Sequence, residues 1–469
     1  MLYNKKVSIY HLREMLVLKS IDEYNYVHFI GIGGISMSAL AHILIRQGIK
    51  VSGSDRTESS ILDILKKDGA AIYIGQSAEN ITNPDLVVYT AAISSDNPEL
   101  CEARKKGIKT LERAEFLGNL MLDYKFPVSI SGTHGKTTTT SMLSNVLLEA
   151  NKEPTVLVGG EFDKIGGNYY IGQKNYLIFE GCEYVDSFLH FNPYAALILN
   201  IEEDHLDYFS GIEQIKLSFN KFMKKIPADG FVVINADDKN ILDSLEGIKC
   251  QIVKYGRNGD FSAENIEYDK NGFGIFDVLK KGKKIARIHL SVGGKHNISN
   301  SLAVFAAADK MDIGIDSIIR GIQGYKGTRR RFEYKGTVNG AKVYDDYAHH
   351  PTEIAATFNT ASKMEHNRIW VVFQPHTYSR TNALLDDFVS VLSKFDNVIV
   401  TDIYAAREKN TIGISAKCIS DKIKNALYIS DFKEISEHIK SNVQKSDIVI
   451  TMGAGTITDL SKFLFDIDK

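Results

Sequence analysis

Lys136 and Thr137 close the run Ser131-Gly132-Thr133-His134-Gly135-Lys136-Thr137-Thr138, in which glycines and hydroxyl residues lead to an ammonium group. Glycines let successive backbone N–H groups turn toward one anion, and a following helix adds partial positive charge from its first turn. Lysine supplies a full charge for the β and γ phosphates of a nucleotide, and the next hydroxyl is placed to hold Mg²⁺. The first glycine lies three residues before the second, so the loop is a shorter relative of the usual G-x-x-x-x-G-K-[ST]. Two acidic clusters follow. Glu180-Gly181-Cys182-Glu183 and Glu202-Glu203-Asp204-His205-Leu206-Asp207 each stand just past an apolar run. Carboxylates there, in a chain with a phosphate loop, are candidate Mg²⁺ ligands, and solvated turn acids would show the same spacing.

These groups need strands to deliver them. Val128-Ser129-Ile130 is an apolar lead into the loop, and Ser141–Leu148 continues it with helical spacing. Tyr176–Phe179 and Ala195–Leu199 read as strands that end in the two acidic clusters. Earlier in the chain, Tyr26–Ile30 reads as a buried strand, followed by Gly31-Ile32-Gly33-Gly34-Ile35-Ser36 and a helical pattern from Met37 to Gln47. A second strand ends at Asp55, 24 positions after Gly31. That is close to the dinucleotide fingerprint, except that Ser36 stands where the third glycine belongs. The pattern supports a diphosphate on the helix N-terminus and a hydroxyl on Asp55. A UDP-sugar meets those terms as well as NAD does, and a plain βαβ turn would share the spacing. Thr90-Ala91-Ala92 follows another strand, Leu86–Tyr89, at the edge where open α/β sheets bind ligands.

Residues 251–292 carry short alternating runs with glycine and lysine turns, the pattern of a small antiparallel section. His296-Asn297-Ile298-Ser299-Asn300 then opens an alanine-rich helix; amides there read an adenine edge or cap the helix, and on spacing alone the cap at Asn297 is the simpler reading. Arg329-Arg330-Arg331 lies near a domain junction, where an arginine can reach a transferring phosphoryl group. In the last third, strands at 341–344, 368–373, 397–400 and 447–451 each end in a polar or glycine-rich cluster, including Asp345-Asp346-Tyr347-Ala348-His349-His350 and Gln374-Pro375-His376-Thr377-Tyr378-Ser379-Arg380.

A length of 469 residues calls for roughly three domains. With 44% hydrophobic and 24% charged residues and a formal net charge of −2, nothing marks a nucleic-acid or anionic-membrane surface. The four cysteines are scattered without a C-x-x-C pair, which suits a reducing compartment. No signal-peptide core and no long apolar span is present, so a soluble cytoplasmic protein is expected. The expected architecture is α/β in three domains. Residues 1–24 form an extension, 25–118 a Rossmann-like domain, 119–332 a central P-loop ATPase-type domain with a mixed or parallel sheet, and 333–469 a second Rossmann-like domain.

The ordered motifs Gly31–Ala41, Ser131–Thr139, Asn200–Phe209, His296–Asn300, Asp345–Glu353 and Gln374–Thr381 together resemble those of the ATP-dependent Mur ligases of peptidoglycan synthesis, over about residues 25–465. The resemblance implies that ATP phosphorylates the lactyl carboxylate of UDP-N-acetylmuramic acid and that the amine of L-alanine attacks the acyl phosphate. It implies a UDP-sugar site at Gly31, Gly33, Gly34, Ser36, Asp55, Thr90, Ala91 and Ala92. ATP would lie on Gly132, Thr133, His134, Gly135, Lys136, Thr137 and Thr138. His296, Asn297 and Asn300 would take the adenine, and Arg331 and Asp346 would clamp the nucleotide under a closing third domain. Thr137, Glu183, Glu180 and His205 would hold Mg²⁺, and Tyr347, His349, His376 and Arg380 would position alanine and the lactyl carboxylate. Lys136, Glu183, His205 and Arg331 are the implied catalytic groups. Two departures stand out, Cys182 where many relatives carry Asp and Thr377 in place of a common arginine; Lys216 lies near a lysine that sibling ligases carbamylate.

Overall fold

The computed structural model describes residues 21–205, 208–406 and 408–466. Residues 1–20 of the expected extension at 1–24, and Leu206 and Asp207 of the second acidic cluster, lie outside the described residues. Ile21–Glu23 is a short 3₁₀ turn that buries Ile21. The chain divides into two compact units, one running up to Lys136 with Asn151–Gly159 and Ile165–Val253, the other comprising Thr137–Ala150, Gly160–Lys164 and the chain from Lys254 onward.

The first unit opens with five strands, β1 (Tyr26–Ile30), β2 (Lys50–Asp55), β3 (Ala71–Ile74), β4 (Leu86–Tyr89) and β5 (Lys109–Glu112), ordered β3-β2-β1-β4-β5. All four pairings are parallel. Parallel strands are covered on both faces, and β1 shows why its sequence is apolar throughout. Val27 and Phe29 join a core with Leu40, Ile43 and Leu44 of helix Ile35–Arg46, while Ile30 packs with Val87, Leu100 and Ala103 on the other face. His28 is the polar exception; its Nδ1 lies 2.8 Å from Ser52 Oγ, fully buried.

Further strands of this unit are β6 (Phe126–Ser131), β7 (Thr155–Phe162), β8 (Gly167–Tyr170), β9 (Tyr176–Gly181), β10 (Ala195–Ile198) and β11 (Phe231–Asn235). Parallel pairing gives the order β11-β10-β6-β9-β7. Central β6 thus points its carboxyl end, and the phosphate loop, between those of β9 and β10. Gly181 is forced by this neighbourhood, because a Cβ there would sit 2.3 Å from the hydroxyls of Ser129 and Ser131.

In the second unit, β12 (Gln251–Tyr255) touches β13 (Phe261–Tyr268) in parallel through Tyr255 and Phe261. β13, β14 (Phe273–Lys280) and β15 (Lys283–Gly293) form the expected antiparallel section. Helix Lys136–Glu149 approaches helix Ile315–Gln323 so closely that a Cβ on Gly321 would lie 2.5 Å from Val146 Cα, and Asn145 Nδ2 donates to Gly321 O at 2.7 Å. The last sheet has the order β16-β17-β21-β18-β19-β20, with β16 (Glu333–Val338), β17 (Ala341–Asp346), β18 (Ile369–Phe373), β19 (Asn397–Val400), β20 (Ala426–Tyr428) and β21 (Ile448–Met452). Only β16 runs antiparallel, on an edge. The four expected strands are present; the edge strands β16, of mixed polar sequence, and β20, only three residues long, are additions. Among the described residues no helix is long and apolar enough to cross a membrane.

Candidate functional site

The phosphate loop leaves β6 through Gly132 (φ +139°) and Gly135 (φ +86°), backbone conformations that favour glycine. It is clamped from the chain after β10. His134 N donates to Asn200 Oδ1 at 2.7 Å, Asn200 Nδ2 donates back to His134 O at 3.0 Å, and Thr133 N donates to Asn200 O at 3.2 Å. Glu202 N adds a bond to Thr133 Oγ1 at 2.9 Å, and Glu202 Oε2 lies 3.5 Å from His134 Nε2. Asn200 was legible only as part of a motif, without a role; its position directly after a strand end was the available signal.

Lys136 Nζ donates to Glu183 Oε1 and Oε2 at 3.2 and 3.1 Å and to Thr133 O at 3.1 Å. Burial works against its charge, but Glu183 foremost, then Cys182 and Glu180, more than compensate and raise its pKa. The ammonium therefore sits where a cation faces a carboxylate that is only 3% exposed. Glu180, on β9, instead accepts Gly159 N at 2.6 Å. Cys182 does not replace a carboxylate: burial and the Glu183 charge push its thiol up, against opposing pulls from Lys136 and Arg113. The partner of Glu183 in this structure is Lys136.

Beyond Glu183 the backbone is strained, with Val185, Asp186 and His205 at φ 49°, 56° and 54°. Asp186 is held by the hydroxyls of Tyr208 and Ser218. His205 Nε2 lies 4.0 Å from Glu183 Oε1, its ring against Tyr184 at 4.6 Å. Among the described residues no three His, Cys, Asp or Glu side chains form a ready-made metal cage. Mg²⁺ binds through one or two carboxylates plus phosphate and water. A buried carboxylate already facing a cation fits such an ion. Lys216 is turned elsewhere, ion-paired to Glu213 at 3.0 Å and Asp243 at 3.3 Å. Those hydrogen bonds raise its pKa, which opposes the neutral amine that carbamylation requires.

The glycine loop after β1 is also built. Gly31 has φ +82°, and Gly33 N donates to Asp55 Oδ2 at 2.9 Å. A Cβ on Gly33 would meet that oxygen at 2.8 Å. Asp55 thus spends one oxygen on the loop and the other on Arg56 N at 2.7 Å. Helix Ile35–Arg46 starts after Gly34 without a side-chain cap, leaving first-turn N–H groups for an anion. Ser36 is exposed, so no close helix–sheet contact requires glycine there. Thr90 Oγ1 accepts Ala92 N at 3.1 Å, and Thr90 Cγ2 would lie 3.6 Å from a Cβ on Gly31; Ala91 and Ala92 are exposed. Arg113, absent from the sequence reading, donates to Ser36 Oγ at 3.3 Å and acts electrostatically on Cys182. It lies just past β5, a strand end that its polar sequence conceals.

In the second unit Thr137 is buried and accepts Arg331 Nη2 at 3.4 Å, while Thr138 is partly exposed. Arg331 and Arg330 face the Tyr347 ring at 5.2 and 4.9 Å. Asp346 is buried, accepting Thr357 Oγ1 at 2.8 Å and Ala348 N at 2.9 Å; burial raises its pKa to about 6, against those bonds and Arg331. Asn297 is not the helix cap. Gly294 (φ +97°) caps helix Lys295–Lys310, and Asn297, a turn inside, donates to Gly293 O at 2.7 Å and accepts Asn300 Nδ2 at 3.1 Å. His296 reaches solvent, yet its crowded surroundings and the Arg331 charge lower its pKa to about 4. His349 and His376 rings lie 5.7 Å apart, Tyr347 meets His349 edge-on at 5.4 Å, and Arg380 Nη1 lies 3.4 Å from His376 Nδ1. Thr377 (φ 64°) caps the next helix with its hydroxyl, a task arginine has no group for.

These geometries place a phosphate-and-carboxylate set in the first unit and an arginine–histidine set in the second. Family profiles cover both. The profile described as Mur ligase family, catalytic domain matches residues 26–125, Mur ligase middle domain 130–308, and Mur ligase, glutamate ligase domain 330–455. A UDP-N-acetylmuramate–L-alanine ligase from Acetivibrio thermocellus is 51% identical over 451 residues, 95% of this chain and 96% of that protein. The chain belongs to the Mur ligase family. Among solved structures, this Mur ligase is similar to a UDP-N-acetylmuramate–alanine ligase from Thermotoga maritima, with TM-score 0.78 and 30% identity over 94% of this chain and 98% of that one. It is also similar to a murein peptide ligase from Psychrobacter arcticus, with TM-score 0.69 and 25% identity over 94% and 98%. The Mur ligase fold, three α/β domains with parallel and mixed sheets, accords with the three sheets described above.

Proposed function

We propose that this Mur ligase joins L-alanine to the lactyl carboxylate of UDP-N-acetylmuramic acid, using ATP and passing through an acyl phosphate, in the cytoplasmic stage of peptidoglycan synthesis. The observation that carries the reading is the clamped phosphate loop with Lys136 on buried Glu183, in a chain 51% identical to an L-alanine ligase. A carboxylate is a poor electrophile because its leaving group would be oxide; phosphorylation supplies a better one. Gly132–Thr138 would bind the phosphates, with Lys136 meeting charge that grows on the phosphoryl oxygens. Glu183, with Glu180, His205 and Thr137, would hold Mg²⁺, which when bound neutralises the same charge. Arg331 would reach the transferring group, and Asp346 would help it clamp the nucleotide. His296, Asn297 and Asn300 would face adenine. Gly31, Gly33, Gly34, Ser36, Asp55, Thr90, Ala91 and Ala92 would take the UDP-sugar, and Tyr347, His349, His376 and Arg380 the amino acid and lactyl carboxylate. The domains would run 25–118, 119–332 and 333–469.

A second reading, attachment of a ready-made peptide to the same UDP-sugar, draws on the similarity to a murein peptide ligase at 25% identity. Supplying L-alanine and a tripeptide together with ATP, Mg²⁺ and UDP-N-acetylmuramic acid, and weighing the products, separates the two. The L-alanyl product is expected; exclusive formation of the tripeptide product would overturn the first reading.

A further inference from the structure

Two neighbouring imidazoles of the second unit, His349 and His376, are held in opposite tautomers. His349 Nδ1 lies 2.9 Å from Tyr347 O. A carbonyl oxygen only accepts, so Nδ1 carries the hydrogen and Nε2 keeps its lone pair. His376 Nδ1 lies 3.4 Å from Arg380 Nη1, and a guanidinium only donates, so there the lone pair is on Nδ1 and Nε2 carries the hydrogen. One imidazole thus offers an acceptor and its neighbour, at 5.7 Å between centroids, a donor. An amino acid presents the complementary pair, an amine and a carboxylate.

The setting of His349 also keeps Nε2 unprotonated and free to take a proton. Glu353 Oε2 lies 3.4 Å from Nδ1 and takes His349 N at 3.0 Å, so a carboxylate backs the ring on the side away from Nε2. A carboxylate or carbonyl behind one ring nitrogen fixes the tautomer and raises the basicity of the other. The other charged or titratable groups facing the ring are Arg380, Arg331, His376 and Tyr347. Burial, with help from the two arginines and against Glu353, lowers its pKa, so the resting ring is neutral at pH 7.

We propose that His349 Nε2 accepts the proton that the attacking amine must release. The inference rests on the acyl-phosphate reading above. The neutral amine's lone pair forms the N–C bond to the acyl carbon, and the C=O pair moves to oxygen. The adduct nitrogen, now cationic, passes one proton to Nε2. The oxyanion pair returns, the bond from carbon to the phosphate oxygen breaks, and phosphate leaves with its electron pair. The imidazolium then gives its proton to the departing phosphate or to water. An amine that has not shed this proton is itself the better leaving group, which gives the acceptor its catalytic value.

Hydroxylamine tests the assignment, because it is neutral at pH 7 and traps acyl phosphates as hydroxamates without needing a positioned base. In His349→Gln, kcat for L-alanine should fall about 10²–10⁴-fold, the scale of general acid–base catalysis. Hydroxamate formation from ATP, Mg²⁺ and UDP-N-acetylmuramic acid should fall at least about tenfold less than alanine turnover does, so that the two losses separate. Unchanged alanine turnover would overturn the proposal, and so would equal loss of both reactions, which would make His349 structural or tie it to phosphorylation. Absence of hydroxamate from wild type would instead fail the acyl-phosphate reading, and the proposal with it. Glu353→Gln supplies a second readout. Removing the backing charge should move the acidic limb of the kcat–pH profile for alanine to lower pH, and an unmoved limb would count against His349.

Discussion

Asp346 offers the sharpest energetic test. Its carboxyl is buried at the end of β17, held by Thr357 Oγ1 and Ala348 N, with a pKa raised to about 6 from the ordinary 3.8. Such a displacement makes the charged form in the folded protein cost about 3 kcal/mol. The sign follows from proton binding. The native carboxyl binds its proton more tightly than the unfolded one, so its contribution is fully present below pH 3.8 and is lost as pH rises through about 6. Asp346→Asn removes the charge while keeping an acceptor for Ala348 N and a donor for Thr357. Relative to wild type, the variant should therefore gain about 2 kcal/mol between pH 4 and pH 7. The chain's single tryptophan, Trp370, lies on β18 of the same sheet, joined to β17 through β21, so its fluorescence in a urea titration follows this sheet. Measured at the two pH values, the wild-type–variant difference should widen on the alkaline side. A difference that stays constant, or narrows, would refute the claim that a buried charge is held at this position. Loss of ligase activity in the stabilised variant is the expected companion, because the charge then exists for the nucleotide rather than for the fold.

Three further outcomes follow from the same structure. Lys136→Ala should abolish ATP turnover and lower stability by about 3 kcal/mol by leaving the Glu183 carboxylate buried without its cation; adding Glu183→Gln should restore thermal stability and leave activity absent. Asn200→Ala removes both side-chain bonds to His134 and should raise KM for ATP about tenfold in steady-state assays, the scale of one lost bond of about 1.5 kcal/mol. Gly118→Ala, nominally favourable inside helix Arg113–Leu120, places a Cβ 2.0 Å from His190 O and should instead cost about 1–3 kcal/mol or more in chemical denaturation.

The chemistry-bearing strand ends were legible because two constraints coincide in them. Buried parallel strands must be apolar, and the residues directly after them must be polar to be useful. Glu183, Asn200 and His349 all stand just past such runs. What was hidden is what depends on contacts distant in sequence. Arg113 follows β5, whose Lys-Thr-Leu-Glu sequence lacks an apolar run, so its approach to Ser36 leaves no trace in either segment. Asn297 has the right type for a cap, but the turn at Gly294 starts the helix three residues sooner, and the amide is spent inside. The left-handed residues Val185 and Asp186 carry no glycine to announce them, since Tyr208 and Ser218 hold the bend in place from elsewhere in the chain.

The reciprocal bonds between Asn200 and His134 bear on the thermodynamics of nucleotide binding. A glycine-bearing loop left loose would surrender its freedom at the moment of capture, and affinity would suffer by that amount. Here the surrender belongs to folding, because the loop is fastened to the end of β10 whatever occupies it. Nucleotide binding to this chain should then be dominated by enthalpy from phosphate contacts, with little opposing conformational entropy. Calorimetry on Asn200→Ala should show the entropy term worsening while the contact enthalpy is largely kept.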